Sequence, residues 1–322
     1  MGMDVSKATL DLHLHLQNKS LSVANSQKGF EQMSKWLNKE LKDTSDLLVV
    51  MEYTGIYTYN VERFLESKSL AYVKRSALDI LRSLGIKRGK SDRADAKFIS
   101  RYGWMRKDEL KPMKPVSDKL VDLQQLMSYR DKLVADRASY QARIKELKDQ
   151  MKTALNQKIE TSSKWMIDSL KQQIAEIEAE ISKVIQSDEK LARNYELITS
   201  VRGVGFVTAV HFLVTTENFT RFTDVRKMLC YSGLAPFEHS SGTSIRGKTQ
   251  TSHLANKKLK SLLTMAAISA IQHDPELKLK YEQKVREGKP KMSALNIIRV
   301  KLVERIFAVI RKQEMYQLKI AA

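Results

Sequence analysis

In its 322 residues the sequence has 1 cysteine, 5 prolines and 12 glycines, and its scarcities are informative. A lone Cys230 rules out an intramolecular disulfide and any cysteine-cluster zinc site. Its neighbours Met228, Leu229 and Tyr231 are apolar, which predicts a buried structural thiol. No run approaches the roughly 20 apolar residues of a membrane helix, and the opening residues lack an apolar signal core. A cytosolic, reduced protein is expected. Acidic residues are also short: 37 Asp and Glu face 56 Lys and Arg, a net charge of +19. Such a surplus favours a polyanionic partner, most commonly nucleic acid, although a basic protein without a specific partner has the same composition.

What is present is enough for two domains and a connecting element, since 42% hydrophobic residues can fill real cores. The positive charge is concentrated in two places. Residues 193–322 hold 22 basic and 10 acidic side chains, and residues 71–115 hold 13 and 5. Two basic surfaces separated by a nearly neutral segment imply two places where a phosphate backbone is held.

The first 25 residues read as strands. Leu10, Leu12, Leu14 and Leu16 alternate with Asp11, His13 and His15, the period of a half-buried strand. Asn18-Lys19 turns the chain into a third strand at Ser20–Ala24. A helix follows over Gln27–Leu41, then the apolar run Asp46–Glu52, which marks a central buried strand. A helix at Tyr57–Ser67, a strand at Leu70–Val73, and helices at Ala77–Leu84 and Ser91–Trp104 complete an order that matches an α/β RNase H-like fold.

From Ser117 to about Lys190 glycine disappears and apolar residues repeat at 3-4 spacing, as in Ile167, Leu170, Ile174, Ile177, Ile181 and Val184. This heptad pattern predicts an α-helical coiled-coil hairpin for oligomerisation, broken near Asn156–Ser163; two helices packed on their own domain would read the same way. The remainder is mostly α-helical. Gly203 and Gly205 precede an apolar helix, as in half of a helix-hairpin-helix motif or in a plain helix-start turn. Helices are expected at Phe222–Ser232, Leu254–Ile271 and Ala294–Ile310, and a loop at Gly233–Thr251. Three domains result, at 1–116, 117–192 and 193–322.

Four carboxylates stand out. Asp4 lies on the first strand, and Glu52 ends the buried strand. Asp92 and Asp95 are three apart, so with Ser91 as helix cap they point to one side. Phosphoryl transfer with two Mg²⁺ ions needs several oxygen ligands. Singly, each acid has a plainer role: Asp92 as a first-turn acid, Asp95 as an ion-pair partner, Asp4 as an exposed terminal residue.

The runs Gly2-Met3-Asp4-Val5-Ser6-Lys7, Met51-Glu52-Tyr53-Thr54-Gly55 and Lys90-Ser91-Asp92-Arg93-Ala94-Asp95-Ala96 resemble the DEDD insertion-sequence transposases. That family includes the Piv and MooV invertases and the bridge-RNA-guided recombinases. The C-terminal marker is present in Gly233-Leu234-Ala235-Pro236 and in the run from His239 to Gly247. The resemblance covers nearly the whole chain. It implies a RuvC-like DEDD domain binding Mg²⁺ through Asp4, Glu52, Asp92 and Asp95, and a C-terminal transposase domain whose nucleophile falls on Ser241. It also implies DNA ends and target as substrates, a guide (bridge) RNA, and a homo-oligomer, dimer to tetramer, that shares its active site between subunits. It places the protein in bacteria or archaea, associated with the nucleoid.

A serine hydroxyl attacking a DNA phosphate would conserve the bond energy as a phosphoserine ester. Arg246 and Lys248 are close enough in sequence to hold that phosphate, and Arg202, Lys90 and Arg93 are further candidates for nucleic-acid contact. Ser240, Thr243 and Ser244 are rival hydroxyls. Two other readings stay open: a RuvC-type nuclease in which water replaces the serine, and a nucleic-acid-binding scaffold with no chemistry.

Overall fold

The computed structural model describes residues 1–53, 55–85, 92–113, 115–148, 153–241, 245–251 and 254–318. The chain divides into two compact units, Met1–Pro115 and Val116–Ala322. Among the described residues no helix is long and apolar enough to cross a membrane.

The first unit is α/β. Strands β1 (Gly2–Val5), β2 (Thr9–Leu14) and β3 (Lys19–Ala24) precede helix α1 (Gln27–Glu40) and strand β4 (Leu48–Glu52). A 3₁₀ turn (Gly55–Thr58), α2 (Tyr59–Ser67), β5 (Ala71–Arg75), α3 (Ala77–Leu84) and α4 (Asp92–Met105) follow. The 5 strands form one sheet in the order β3-β2-β1-β4-β5. The first 3 pair antiparallel, and β4 and β5 run parallel to β1.

Local chemistry sets this order. Between β1 and β2 the Ser6 N–H donates to the Thr9 carbonyl at 2.9 Å, and the Thr9 N–H donates back to Ser6 Oγ at 2.9 Å. Asn18 takes up positive φ of 50° in the next turn, a conformation asparagine tolerates. Ser26 caps α1 by accepting from the Gly29 N–H. One sheet face is apolar: Met3, Leu10, Leu12 and Met51 pack on Met33 of α1 and Leu65 of α2. On the other face Val50 and Val73 meet Ile80 of α3 and Ile99 and Tyr102 of α4.

The half-buried strand expected at Leu10–Leu16 ends at Leu14, leaving Leu16 68% exposed, and within the strand both faces are buried. Asp11 is 6% exposed and His13 2%, because α4 covers the face that alternation would have left to water. Farther along, the His15 ring stacks on Trp104 of α4 with centroids 5.5 Å apart.

The second unit is mostly helical. Helices α5 (Asp118–Lys148) and α6 (Ala154–Gln186) form an antiparallel pair, with Arg130 Nε donating across it to Glu178 at 2.7 Å. Next come α7 (Glu189–Ser200), α8 (Phe206–Thr215), α9 (Val225–Tyr231), β6 (Pro236–Ser241), β7 (Ile245–Thr251), α10 (Lys257–His273), α11 (Pro275–Arg286) and α12 (Lys291–Lys312). Leu123 of α5 and Ile181 of α6 belong to the same core as Phe212, Leu263, Ala267 and Leu302, whereas Leu133, Leu170 and Ile174 form a separate cluster within the pair. The hairpin is therefore rooted in the helical core at one end and packs on itself farther out.

Several expectations are corrected. The break between the long helices precedes Asn156, because Thr153 caps α6 by accepting from the Asn156 N–H, and the Thr161-Ser162-Ser163 run stays helical. Thr161 Oγ1 folds back onto the Gln157 carbonyl instead of breaking the helix. The segment Gly233–Thr251, expected as a loop, contains the antiparallel pair β6–β7. Cys230 is exposed, since it lies two residues from the buried Met228 and so on the opposite side of α9.

A carboxylate row on the sheet and a serine at a hairpin end

Gly2 pairs with Val50 and Met3 with Met51, so one further step along both strands brings Asp4 level with Glu52. Asp4 also lies opposite Asp11 on β2, and Glu52 lies opposite Arg75 on β5. Asp11, Asp4, Glu52 and Arg75 thus form a row across four strands. In-register neighbours share a sheet face, and two residues back in the same column stand Gly2, Val50 and Val73, which face α4 and α3. Asp4 and Glu52 are each half-buried.

Helix α4 lies directly on this face because Gly2 has no side chain. A Cβ there would sit 2.3 Å from both the Ala96 carbonyl oxygen and the Ser100 nitrogen. Asp95, half-buried, is one turn before the buried Ile99 and so on the sheet-facing side. Asp92 opens the helix, four residues before Ala96; its side chain, with Lys90 and Ser91 entire, lies outside the described residues. Arg93 is exposed. Among the described residues no group of 3 or more His, Cys, Asp or Glu is assembled closely enough to hold a metal ion. The backbone therefore brings Asp4, Glu52 and the start of α4 to one face.

Two imidazoles follow Asp11, His13 within β2 and His15 just past its end. His13 and His15 are pushed below the usual histidine value by burial first, with Lys97 among the positive charges adding to it. His13 Nδ1 is 2.8 Å from Ser20 Oγ, so one nitrogen of this buried ring has a partner. At the other end of the row, Tyr102 donates to Asp79 Oδ2 at 3.0 Å, and Arg75 Nε approaches the same oxygen at 3.9 Å.

In the second unit Ser241 is the last residue of β6 and pairs with Ile245; Ser240 pairs with Arg246, and Lys248 follows on β7. The side chains of Ser240, Ser241, Arg246 and Lys248 lie outside the described residues, as do Thr243 and Ser244 entire. The hairpin is tethered where it starts and ends: Asn296 Nδ2 donates to the Leu234 carbonyl at 3.0 Å, and Lys260 Nζ donates to Thr251 Oγ1 at 3.2 Å.

Arg202 is exposed and donates to the His273 carbonyl at 3.0 Å, where it satisfies the C-terminal end of α10. Gly203 has φ +89°, and a Cβ on it would lie 2.6 Å from the Ala266 carbonyl. Its role is close packing on α10, whereas Gly205 caps α8 and has open space beside it.

Sequence reasoning missed two features. Asp11 was legible in principle, because Asp4 and Asp11 are symmetric about the Ser6–Thr9 turn. The other is Asp131 on α5, which lies 2.9 Å from Lys258 Nζ and 3.5 Å from His211 Nε2. Nothing in the local sequence of any of these three residues announces the meeting.

Residues 1–153 match the IS110-type DEDD transposase family model, and residues 195–282 match that of the transposase IS116/IS110/IS902 family. The pilin gene-inverting protein of Moraxella bovis is 27% identical over 99% of this chain and 98% of its own length. Its counterpart in Moraxella lacunata matches to the same extent. An uncharacterized 43.6 kDa protein of insertion element IS110 from Streptomyces coelicolor is 32% identical over 39% of this chain and 31% of its own. These matches define a DNA recombinase. The chain belongs to the IS110-family DEDD transposases. DNA is accordingly its substrate, and domains of this type use divalent metal ions.

Proposed function

We propose that this recombinase cuts and rejoins DNA through a covalent serine–phosphate intermediate, with a metal site of Asp4, Glu52, Asp92 and Asp95 in an RNase H-like, RuvC-type unit. The observation that carries the proposal is the row on the sheet: Asp4 level with Glu52, under a helix that begins at Asp92. The strand order β3-β2-β1-β4-β5 supports the RNase H-like assignment. The donors are carboxylate oxygens, the chemistry hard divalent cations prefer, and Gly2 lets the helix approach the strand that carries Asp4.

Two Mg²⁺ ions, when bound, supply neutralisation of phosphate charge and polarisation of the P–O bonds. The chain supplies the nucleophile. Ser241 Oγ forms a bond to phosphorus, the bond to one deoxyribose oxygen breaks, and the hydroxyl proton ends on the departing alcohol. Rejoining reverses the step with a new DNA hydroxyl. Arg246 and Lys248 hold the phosphate, and Lys90, Arg93 and Arg202 extend the contact to nucleic-acid backbone.

The helical pair α5–α6 assembles subunits as a coiled coil, dimer to tetramer, and divides the chain into domains 1–116, 117–192 and 193–322. A guide RNA supplies sequence recognition by base pairing, so that the protein need only hold backbones. The charge of +19 supports binding of both nucleic acids.

The test is covalent trapping. Protein, element-end DNA, Mg²⁺ and RNA transcribed from the element's flanks are mixed and run on a denaturing gel. An SDS-resistant protein–DNA band that is lost in Ser241→Ala and in Asp92→Ala is expected. Cleaved DNA with no adduct, unchanged by Ser241→Ala, would replace this mechanism with that of a RuvC-type nuclease using water.

A further inference from the structure

The row on the sheet contains one more acid than the four-carboxylate site uses. Asp11 lies on β2 directly opposite Asp4. Cross-strand partners have Cβ atoms ~5 Å apart and project to the same face, so the two carboxylates share one side of the sheet. Asp11 is 6% exposed, and among the described residues no hydrogen bond or ion pair reaches its carboxylate. The next polar residue on that face shows the contrast. His13 is buried as deeply, but its ring meets Ser20. Ser22, the cross-strand neighbour of Asp11 on its other side, makes no such bond with it.

Two like charges facing each other across a pair of strands repel, and a buried charge without a partner is costly. A divalent cation between the two carboxylates would offset both costs. Arg75 is at the far end of the row, beyond Asp4 and Glu52, and approaches Asp79 at 3.9 Å.

We propose that Asp11 is a further carboxylate of the metal site, holding a divalent cation together with Asp4, directly or through a bound water. This inference rests on the metal site proposed above. With metal bound Asp11 adds affinity, and the metal-free fold does not depend on its charge.

The experiment uses the full chain and Mn²⁺ alone as the probe. Calorimetric titration gives the Mn²⁺ affinity, and thermal melting in EDTA gives the metal-free stability. The variants are Asp11→Asn, Asp11→Glu and, as an exposed acid of the same unit, Asp108→Asn. For Asp11→Asn the expectation is Mn²⁺ binding at least tenfold weaker than wild type, with a metal-free melting temperature equal to or above it. Asp11→Glu should hold Mn²⁺ more tightly than Asp11→Asn, and Asp108→Asn should match wild type.

Wild-type Mn²⁺ affinity in Asp11→Asn, with a lowered metal-free melting temperature, overturns the proposal and makes Asp11 a structural residue. If Asp11→Asn does not fold, Asp11→Ser decides: a folded Asp11→Ser that has lost Mn²⁺ binding supports the proposal, and unchanged affinity opposes it. Absence of Mn²⁺ binding in wild type itself would remove the underlying metal site, a different outcome from loss in the variant alone.

Discussion

Replacing Gly2 with alanine adds a single methyl group at the closest contact between α4 and the sheet. The new Cβ would stand 2.3 Å from the Ala96 carbonyl oxygen and from the Ser100 nitrogen, and 2.7 Å from the Ser100 Cα. All three atoms are backbone, so no side chain can swing aside. Ordinary contacts of this kind lie near ~3.5 Å, and α4 must retreat from β1 by about 1 Å. Overpacking of this sort costs about 1–3 kcal/mol, or roughly 5–15 °C in the melting temperature of a unit this size. The functional loss should be larger than the loss of stability. Asp92 and Asp95 ride on α4 while Asp4 stays on β1, and a misplacement of about 1 Å between reacting groups costs on the order of 100-fold in rate. Gly103→Ala is the comparison, because the atom it meets at 2.7 Å is Val50 Cγ2, the end of a side chain. Single-turnover cleavage, at a temperature where both variants are folded, should separate them. A Gly2→Ala protein that cleaves as fast as Gly103→Ala would refute the claim that this contact positions the carboxylates.

Three further outcomes follow from the geometry. His211 is held below its ordinary 6.5 by burial, and Asp131 at 3.5 Å does not reverse this because Lys258 and Arg130 oppose it. The unfolded chain then takes up a proton that the folded one resists, so stability should fall as the pH drops below 6.5, and His211→Gln should flatten that dependence in melts across pH. Asp274 has a fully buried side chain that caps α11 through the Leu277 N–H and pairs with Arg305 at 2.6 Å. Asp274→Ala should lose about 3–5 kcal/mol by denaturant unfolding, and Asp274→Asn less, because the cap survives. Gly203→Ala combines a φ of +89° with a 2.6 Å clash against the Ala266 carbonyl, and should cost about 1–3 kcal/mol in the melting of the second unit.

The strand and helix order of the first unit was legible because each element states its own period. Leu10, Leu12 and Leu14 alternate, while Phe30, Met33 and Leu37 recur at helical spacing, and all six are buried. Periodicity could not show what covers the second face of β2. Asp11 and His13 read as solvent-facing because they are polar; they are buried because α4, some 80 residues later in the chain, closes over them. In the second unit Thr161, Ser162 and Ser163 looked like a break yet continue α6, where a helix of 33 residues overrides weak local preference. Helix α11 was missed because its sequence is dominated by charge and only Leu277 is buried.

The candidate site was legible to a different depth. Asp4, Glu52, Asp92 and Asp95 could be picked out as types at suggestive places, but only register turns two of them into neighbours: Asp4 comes level with Glu52 because Gly2 meets Val50. The same register brings in Asp11, which no pattern of four carboxylates would have added. A strand pairing specifies which residues stand side by side, and a single step of slip would send every one of these side chains to the opposite face. The hydrophobic residues that prevent that slip, Met3, Leu12 and Met51 with no exposure among them above 1%, lie on the other side of the sheet from the carboxylates. The apolar core therefore acts on the chemistry at a distance: by holding the register, it decides which acids meet on the far face.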